Sequence, residues 1–175
     1  MNAKLNANKS NLVLIGMSGA GKSTIGVLLA KTLGMGFIDT DIIIQQRAGK
    51  TLQSILDDDG IDTFLHLEEE AVCSLRAENC VIATGGSVIY SAAAMDALRE
   101  DGTLIYLRVP FSELERRLTN VASRGIVMRP GESLRSVFLE REPLYEKYCD
   151  IAVDCSGADV ERCVAAVADA AVRRL

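Results

Sequence analysis

Short apolar runs alternate along the chain with longer stretches whose apolar residues recur at helical spacing. Asn11-Leu12-Val13-Leu14-Ile15 is a continuous apolar run of strand length and reads as a buried parallel strand. Thr24 to Leu33 is apolar at helical spacing, and Gly34 follows as a C-cap. Met35 to Asp39 predicts a second strand, and Ile42 to Ala48 a helix with Asp41 near its N-terminus. Thr51 to Leu56 predicts a short helical piece. Asp57-Asp58-Asp59-Gly60 then breaks it as a solvated loop rather than a calcium site. From Ile61 to Arg76, the spacing of Ile61, Phe64, Leu65, Leu67, Val72 and Leu75 predicts a further helix, with Glu68, Glu69 and Glu70 on or near its wet side.

Cys80 to Thr84 is the third predicted strand, followed at once by Gly85-Gly86-Ser87. Ser91 to Arg99 reads as helix, and Asp101-Gly102 turns into a fourth strand, Thr103 to Val109. Pro110 ends that strand, and Ser112 is expected to cap a helix reaching about Leu118. Residues 119–132 have no periodicity, and so long an irregular segment in a compact domain is expected to be a lid. Ser133 to Tyr148 predicts a helix kinked or split at Pro143. Ile151 to Asp154 is the fifth strand, and Asp159 to Arg174 the closing amphipathic helix. Such alternation means right-handed βαβ units and a parallel sheet covered on both faces, an α/β fold. Residues 11–175 are read as one domain, and Met1 to Ser10 as a polar tail rather than a signal peptide.

The first predicted strand runs directly into Gly16-Met17-Ser18-Gly19-Ala20-Gly21-Lys22-Ser23, with Thr24 after it. This fits G-x-x-x-x-G-K-[ST], the phosphate-binding loop. A triphosphate needs several backbone N–H donors converging on it, so glycines stand where the chain passes closest. Lys22 supplies a mobile positive charge for the β- and γ-phosphates, Ser23 a hydroxyl for Mg²⁺, and the following helix the positive end of its dipole. Ligands of such sheets sit outside the carboxyl ends of the strands. That edge collects the loop, Asp39 and Asp41, and Gly85 and Gly86 in one crevice.

Composition narrows the partners. The chain has 175 residues and a formal net charge of −5, so no basic excess exists to displace phosphate counterions from nucleic acid. No apolar stretch approaches the length of a membrane span. Five cysteines (Cys73, Cys80, Cys149, Cys155, Cys163) without a C-x-x-C pair read as structural thiols in the reducing cytoplasm, not as a disulfide framework or zinc site. His66 is the single histidine and is read as a polar helix residue.

These motifs together resemble the shikimate kinases, within the nucleoside-monophosphate-kinase-like group of P-loop folds. Gly16 to Thr24 resembles the family's loop, Asp39-Thr40-Asp41 its D-[ST]-D element, and Ala83-Thr84-Gly85-Gly86 its glycine-rich strand end, with Ser87 at the usual third glycine. Arg116-Arg117 and Arg124 fall at the spacing of its adenine-side and lid arginines, and Arg141-Glu142-Pro143-Leu144-Tyr145 matches R-x-P-x-Y. The resemblance implies a three-layer P-loop kinase with a five-stranded parallel sheet in the order 2-3-1-4-5. It implies ATP and Mg²⁺ as cofactors, with Gly19, Ala20, Gly21, Lys22, Ser23, Thr24 and Arg117 on the nucleotide. Ser23 and Asp39 are implied on the metal, Asp41 on the acceptor hydroxyl, and Gly85, Gly86, Phe64 and Glu68 around the substrate. Arg124 is implied over the phosphates and Arg141 on the substrate carboxylate.

One position departs from the family. Its substrate helix carries F-R-x-x-E, whose arginine pairs with the shikimate carboxylate, whereas this chain reads Phe64-Leu65-His66-Leu67-Glu68. The lid reads Arg124-Gly125-Ile126-Val127 where the family has R-P-L-L. The leading expectation is ATP-dependent phosphoryl transfer to a hydroxyl of shikimate. A second keeps the fold and changes the acceptor to another hydroxylated acid or amino acid, with Glu68 facing an amine or hydroxyl. A third is a nucleotide-binding module without transfer activity, against which the intact Lys22, Ser23, Asp39 and Asp41 argue. The expected assembly is a monomer or weak homo-oligomer.

Overall fold

The computed structural model describes residues 9–118 and 125–173. Five parallel strands, β1 (Asn11–Ile15), β2 (Gly36–Asp39), β3 (Cys80–Ala83), β4 (Gly102–Arg108) and β5 (Ile151–Asp154), form one sheet in the order β2-β3-β1-β4-β5. This is the expected three-layer P-loop arrangement. Every residue of β1 is buried, and Leu14 pairs with Ala83 on one side and Ile105 on the other. The apolar run therefore occupies the centre of the sheet, and its carboxyl end delivers Gly16 to the middle of the ligand edge.

The helices are α1 (Lys22–Leu33), α2 (Thr40–Ala48), α3 (Leu52–Cys73), α4 (Ala92–Asp101), α5 (Phe111–Arg117), α6 (Leu134–Tyr148) and α7 (Val160–Val172). One core covers the sheet, and a smaller cluster of Ile44, Ile55, Phe64, Ala71 and Val127 forms where α2 packs on α3. α2 starts earlier than the apolar pattern suggests, because the Asp39 carboxylate accepts the Asp41 N–H at 3.0 Å and caps it. All five cysteines are free, and no helix among the described residues is long and apolar enough to cross a membrane.

Several expectations are corrected. Asp57, Asp58 and Asp59 are not a loop but helical, exposed residues of α3, and Lys50 pairs with Asp58 at 3.4 Å and Asp59 at 2.9 Å. Exposed carboxylates cost a helix little, so the break falls on Gly60 alone, whose φ of 84° other residues resist. α3 ends at Cys73 rather than Arg76, where the Ser74 N–H reaches the Glu70 carbonyl. Glu68 is not on the wet side: it is 2% exposed, one turn beyond Phe64 and on the same face as Ala71 and Val72. Pro110, not Ser112, is the N-cap of α5, its carbonyl accepting from the Glu113 and Leu114 amides. α6 runs unbroken through Pro143 behind a Ser133/Ser136 capping box. The carbonyl that loses its partner there belongs to Leu139, at an exposed position open to water.

Of the expected lid, residues 119–124, Arg124 among them, lie outside the described residues. Beyond them, Gly125 donates to Gln53 Oε1 at 3.2 Å, and Ile126 and Val127 are buried, so this part is packed against the start of α3.

Candidate active site

The loop between β1 and α1 makes its turns on glycines. Gly19 and Gly21 have φ of 83° and 94°, left-handed conformations that favour glycine. The α1 N-terminus opens from it without a side-chain cap, so its first N–H groups are free for an anion. Lys22 is buried, and its Nζ donates to the carbonyls of Gly16 at 2.7 Å and Met17 at 2.8 Å. Burial lowers its pKa to about 8, partly offset by the carboxylates of Asp41 and Asp39. A cleft of about 680 Å³ runs along the loop and takes in Ser23, Thr24, Asp41, Arg117 and Val160, a volume suited to a nucleotide-sized ligand. Arg117 pairs with Glu113 and reaches the Gly19 carbonyl at 3.2 Å, which ties α5 to the loop.

A second pocket adjoins the cleft beyond Asp41. Its floor is Gly85-Gly86, at the carboxyl end of β3, and its walls include Ser18, Phe64, Glu68, Val127 and Arg141. A side chain on this floor would displace the polar groups around it. A methyl added at Gly85 would overlap Glu68 Oε1 and lie 3.0 Å from Asp41 Oδ1, and one at Gly86 would lie 3.0 Å from Ser18 Oγ and 3.2 Å from Arg141 Nη1. Arg141 is 1% exposed, with Nε on the Tyr90 hydroxyl at 3.1 Å and Nη2 on the Val127 carbonyl at 2.6 Å. These two contacts fix the guanidinium with Nη1 turned to Gly86.

The carboxylates are the unusual part. Asp41 Oδ1 and Glu68 Oε1 are both buried without a hydrogen-bond partner among the described residues. Glu68 Oε2 accepts from the Ser87 hydroxyl at 2.7 Å. Burial, with the Asp39 charge nearby, raises Asp41 to about 6. Burial raises Glu68 to about 7, against the pull of the Ser87 hydrogen bond. Buried polar atoms without partners inside a pocket mark where a ligand completes the hydrogen bonding. The arrangement suits transfer of a phosphoryl group from the loop to a hydroxyl held at Asp41.

The family model for shikimate kinase matches residues 18–172. The chain belongs to the shikimate kinase family. It is 40% identical over 145 residues to the shikimate kinase of Mycobacterium avium (strain 104), covering 81% of this chain and 82% of that one. Over 139 residues it is 39% identical to that of Paracidovorax citrulli (strain AAC00-1), covering 77% and 76%. Among solved structures, the shikimate kinase from Acinetobacter baumannii in complex with shikimate superposes with a TM-score of 0.85 at 26% identity, over 94% of this chain and 93% of that one. The Aquifex aeolicus shikimate kinase gives 0.80 at 31% identity, over 93% and 96%. Membership makes this chain an ATP-dependent phosphotransferase with an alcohol acceptor.

Within this shikimate kinase family member, Lys22, Ser23, Thr24, Arg117 and Asp41 border one cleft, and Asp41, Phe64, Glu68, Gly85, Gly86 and Arg141 border the adjoining pocket. Asp39 stands behind Asp41 as the cap of α2, and Arg116 points to solvent. Leu65, where the family has arginine, packs against the apolar cluster of Phe64 and Val127. The sequence assigns no site role to Ser18, Ser87 or Tyr90, because no motif calls for a hydroxyl at those positions. The burial of Glu68 had a signal, its spacing of four from Phe64 and three from Ala71, masked by the acidic neighbours Glu69 and Glu70.

Proposed function

We propose that the chain transfers the γ-phosphoryl group of ATP to a hydroxyl of shikimate, with the nucleotide in the loop cleft and the acceptor on Gly85-Gly86. The loop amides from Gly19 to Thr24 and the α1 N-terminus hold the phosphates, and Arg117 flanks the nucleotide. Lys22 leaves the carbonyls of Gly16 and Met17 for the β- and γ-phosphate oxygens, a move that exchanges two neutral acceptors for charged ones. Asp41 orients the acceptor hydroxyl and receives its proton. Arg141 binds the acceptor carboxylate through Nη1, Phe64 and Glu68 wall the acceptor in, and Arg124 closes over the phosphates.

The donors near the loop fit Mg²⁺. Ser23 and Asp39 offer hard oxygens beside the phosphate site, and no group of three or more His, Cys, Asp or Glu able to hold a metal occurs among the described residues. Ser23 and Asp39 would hold the ion through these oxygen donors. When bound, Mg²⁺ neutralises charge developing on the transferred group.

The observation that carries this reading is the unpartnered Asp41 Oδ1, which borders both the loop cleft and the glycine-floored pocket. The test is ADP formation with MgATP and shikimate. Release should depend on shikimate and fall by about 100-fold or more in kcat for Asp41→Asn, in line with loss of a general base. ADP release that ignores shikimate, or an unaffected Asp41→Asn, overturns the assignment.

A further inference from the structure

The acceptor pocket is electrically divided. Around Gly85 stand two carboxyl oxygens with no donor among the described residues, Asp41 Oδ1 and Glu68 Oε1. Around the next residue, Gly86, stand Arg141 Nη1 and the Ser18 hydroxyl. A negative wall and a positive wall are thus one residue apart on the same floor.

Position 65 decides what this division means. An arginine there would lie one turn from Glu68 on the same helix and could neutralise it. Leu65 supplies no donor and instead extends the apolar cluster of α2 and α3. Glu68 is therefore left 2% exposed, and among the described residues its hydrogen-bond donor is the Ser87 hydroxyl, on one oxygen. Burial holds the Glu68 carboxyl at about 7, where it loses its proton readily only to a ligand that brings a positive charge. A hydroxyl gives Glu68 one neutral hydrogen bond. An ammonium gives it a charge-assisted bond and cancels the charge.

We propose that the acceptor site takes a second class of substrate, a zwitterionic hydroxylated amino acid, with its carboxylate on Arg141, its ammonium on Glu68 and its hydroxyl on Asp41. The inference rests on the kinase reading above and adds an activity to it. The acceptor oxygen forms its bond to the γ-phosphorus as the bond from phosphorus to the β-bridging oxygen breaks. ADP leaves, and the hydroxyl proton passes to Asp41 and then to water. Glu68 acts here as a specificity residue, choosing the acceptor by its cation.

The test uses the full chain with MgATP and measures ADP formation with shikimate, L-serine, L-threonine and L-homoserine, and with the N-acetyl form of each amino acid. At least one amino acid should be turned over with kcat/KM at least about ten-fold above its N-acetyl form, as expected for a charged hydrogen bond. Leu65→Arg should lower that amino acid's kcat/KM by about ten-fold or more and raise that of shikimate, because the new guanidinium takes over Glu68. Turnover of shikimate with none of the amino acids overturns this inference and leaves the kinase reading standing. Equal use of an amino acid and its N-acetyl form also overturns it, since the cation is then not read. ADP formation with no acceptor at all overturns both readings.

Discussion

The Tyr145 hydroxyl donates to the Gly86 carbonyl at 2.6 Å, and both residues are buried. Tyr145 lies one turn after Arg141 on α6, so a single helix face holds both the guanidinium and the strip of backbone it faces. Burial raises the Tyr145 pKa, which keeps the phenol a neutral donor. Tyr145→Phe leaves the Gly86 carbonyl without that partner and should cost about 1–3 kcal/mol in urea unfolding. The acceptor KM should rise while the ATP KM stays near its original value. Equal rises in both constants would mean that Tyr145 supports the fold at large rather than the acceptor floor.

Gly85→Ala tests the acceptor floor directly. The added methyl would overlap Glu68 Oε1 where it now lies, so the Glu68 carboxylate has to move out of the pocket wall. The variant should still bind ATP but lose acceptor turnover by about 100-fold or more, the scale of a misplaced reacting group. Nucleotide binding by calorimetry and ADP formation separate the two steps. Retained turnover would remove Gly85 from the acceptor pocket.

Lys22→Ala removes a buried cation whose hydrogen bonds among the described residues go to the Gly16 and Met17 carbonyls, so the fold should survive and the transfer should not. Turnover should drop by about 100-fold or more, comparable to removing a transition-state donor. Circular dichroism and thermal unfolding near those of the original protein, together with that loss, are the expected pair of results. Near-normal turnover would sink the phosphate-loop assignment.

Glu68 carries a pH signature. Its carboxyl is held at about 7 in the fold, against a usual 4.5, mainly by burial, with Asp41 raising it and Arg141, Lys22 and the Ser87 hydroxyl lowering it. Between those values the folded chain keeps a proton that the unfolded chain releases, so this group makes the fold less stable as pH rises. Glu68→Gln abolishes that penalty. The variant should be more stable than the original by about 1–3 kcal/mol near pH 8, with the advantage fading as pH falls toward 4.5. Urea unfolding at the two ends of that range measures it. A constant difference across the range would show that Glu68 is not titrating in the folded protein.

Local chemistry was enough for the phosphate side of the site. Gly16 to Thr24 announces itself because loop, lysine and helix start are contiguous, and the demands of a phosphate are met by backbone within nine residues. Alternating strands and helices also allow few topologies and place every strand's carboxyl end at one edge, which brings Asp39 and Asp41 to the loop, while the order of the five strands came from the resemblance to the family and is the order the sheet has. Asp57 to Asp59 misled because charge density was read as loop, when exposure and Lys50 make those residues acceptable in a helix.

Only the tertiary structure decided the acceptor side. Its groups come from α2, α3, the end of β3 and α6, and whether Glu68 is a wet surface carboxylate or an unpartnered buried one depends on which way α3 turns after Gly60. A sequence lists Leu65, Glu68 and Arg141 without their distances, and electrostatic energy depends on distance and burial. Residue 65 and the loss of an arginine partner for Glu68 were legible at once, but the burial was not: a buried carboxylate with an open oxygen, facing a fixed guanidinium across two glycines, exists only once the sheet and the helices have packed.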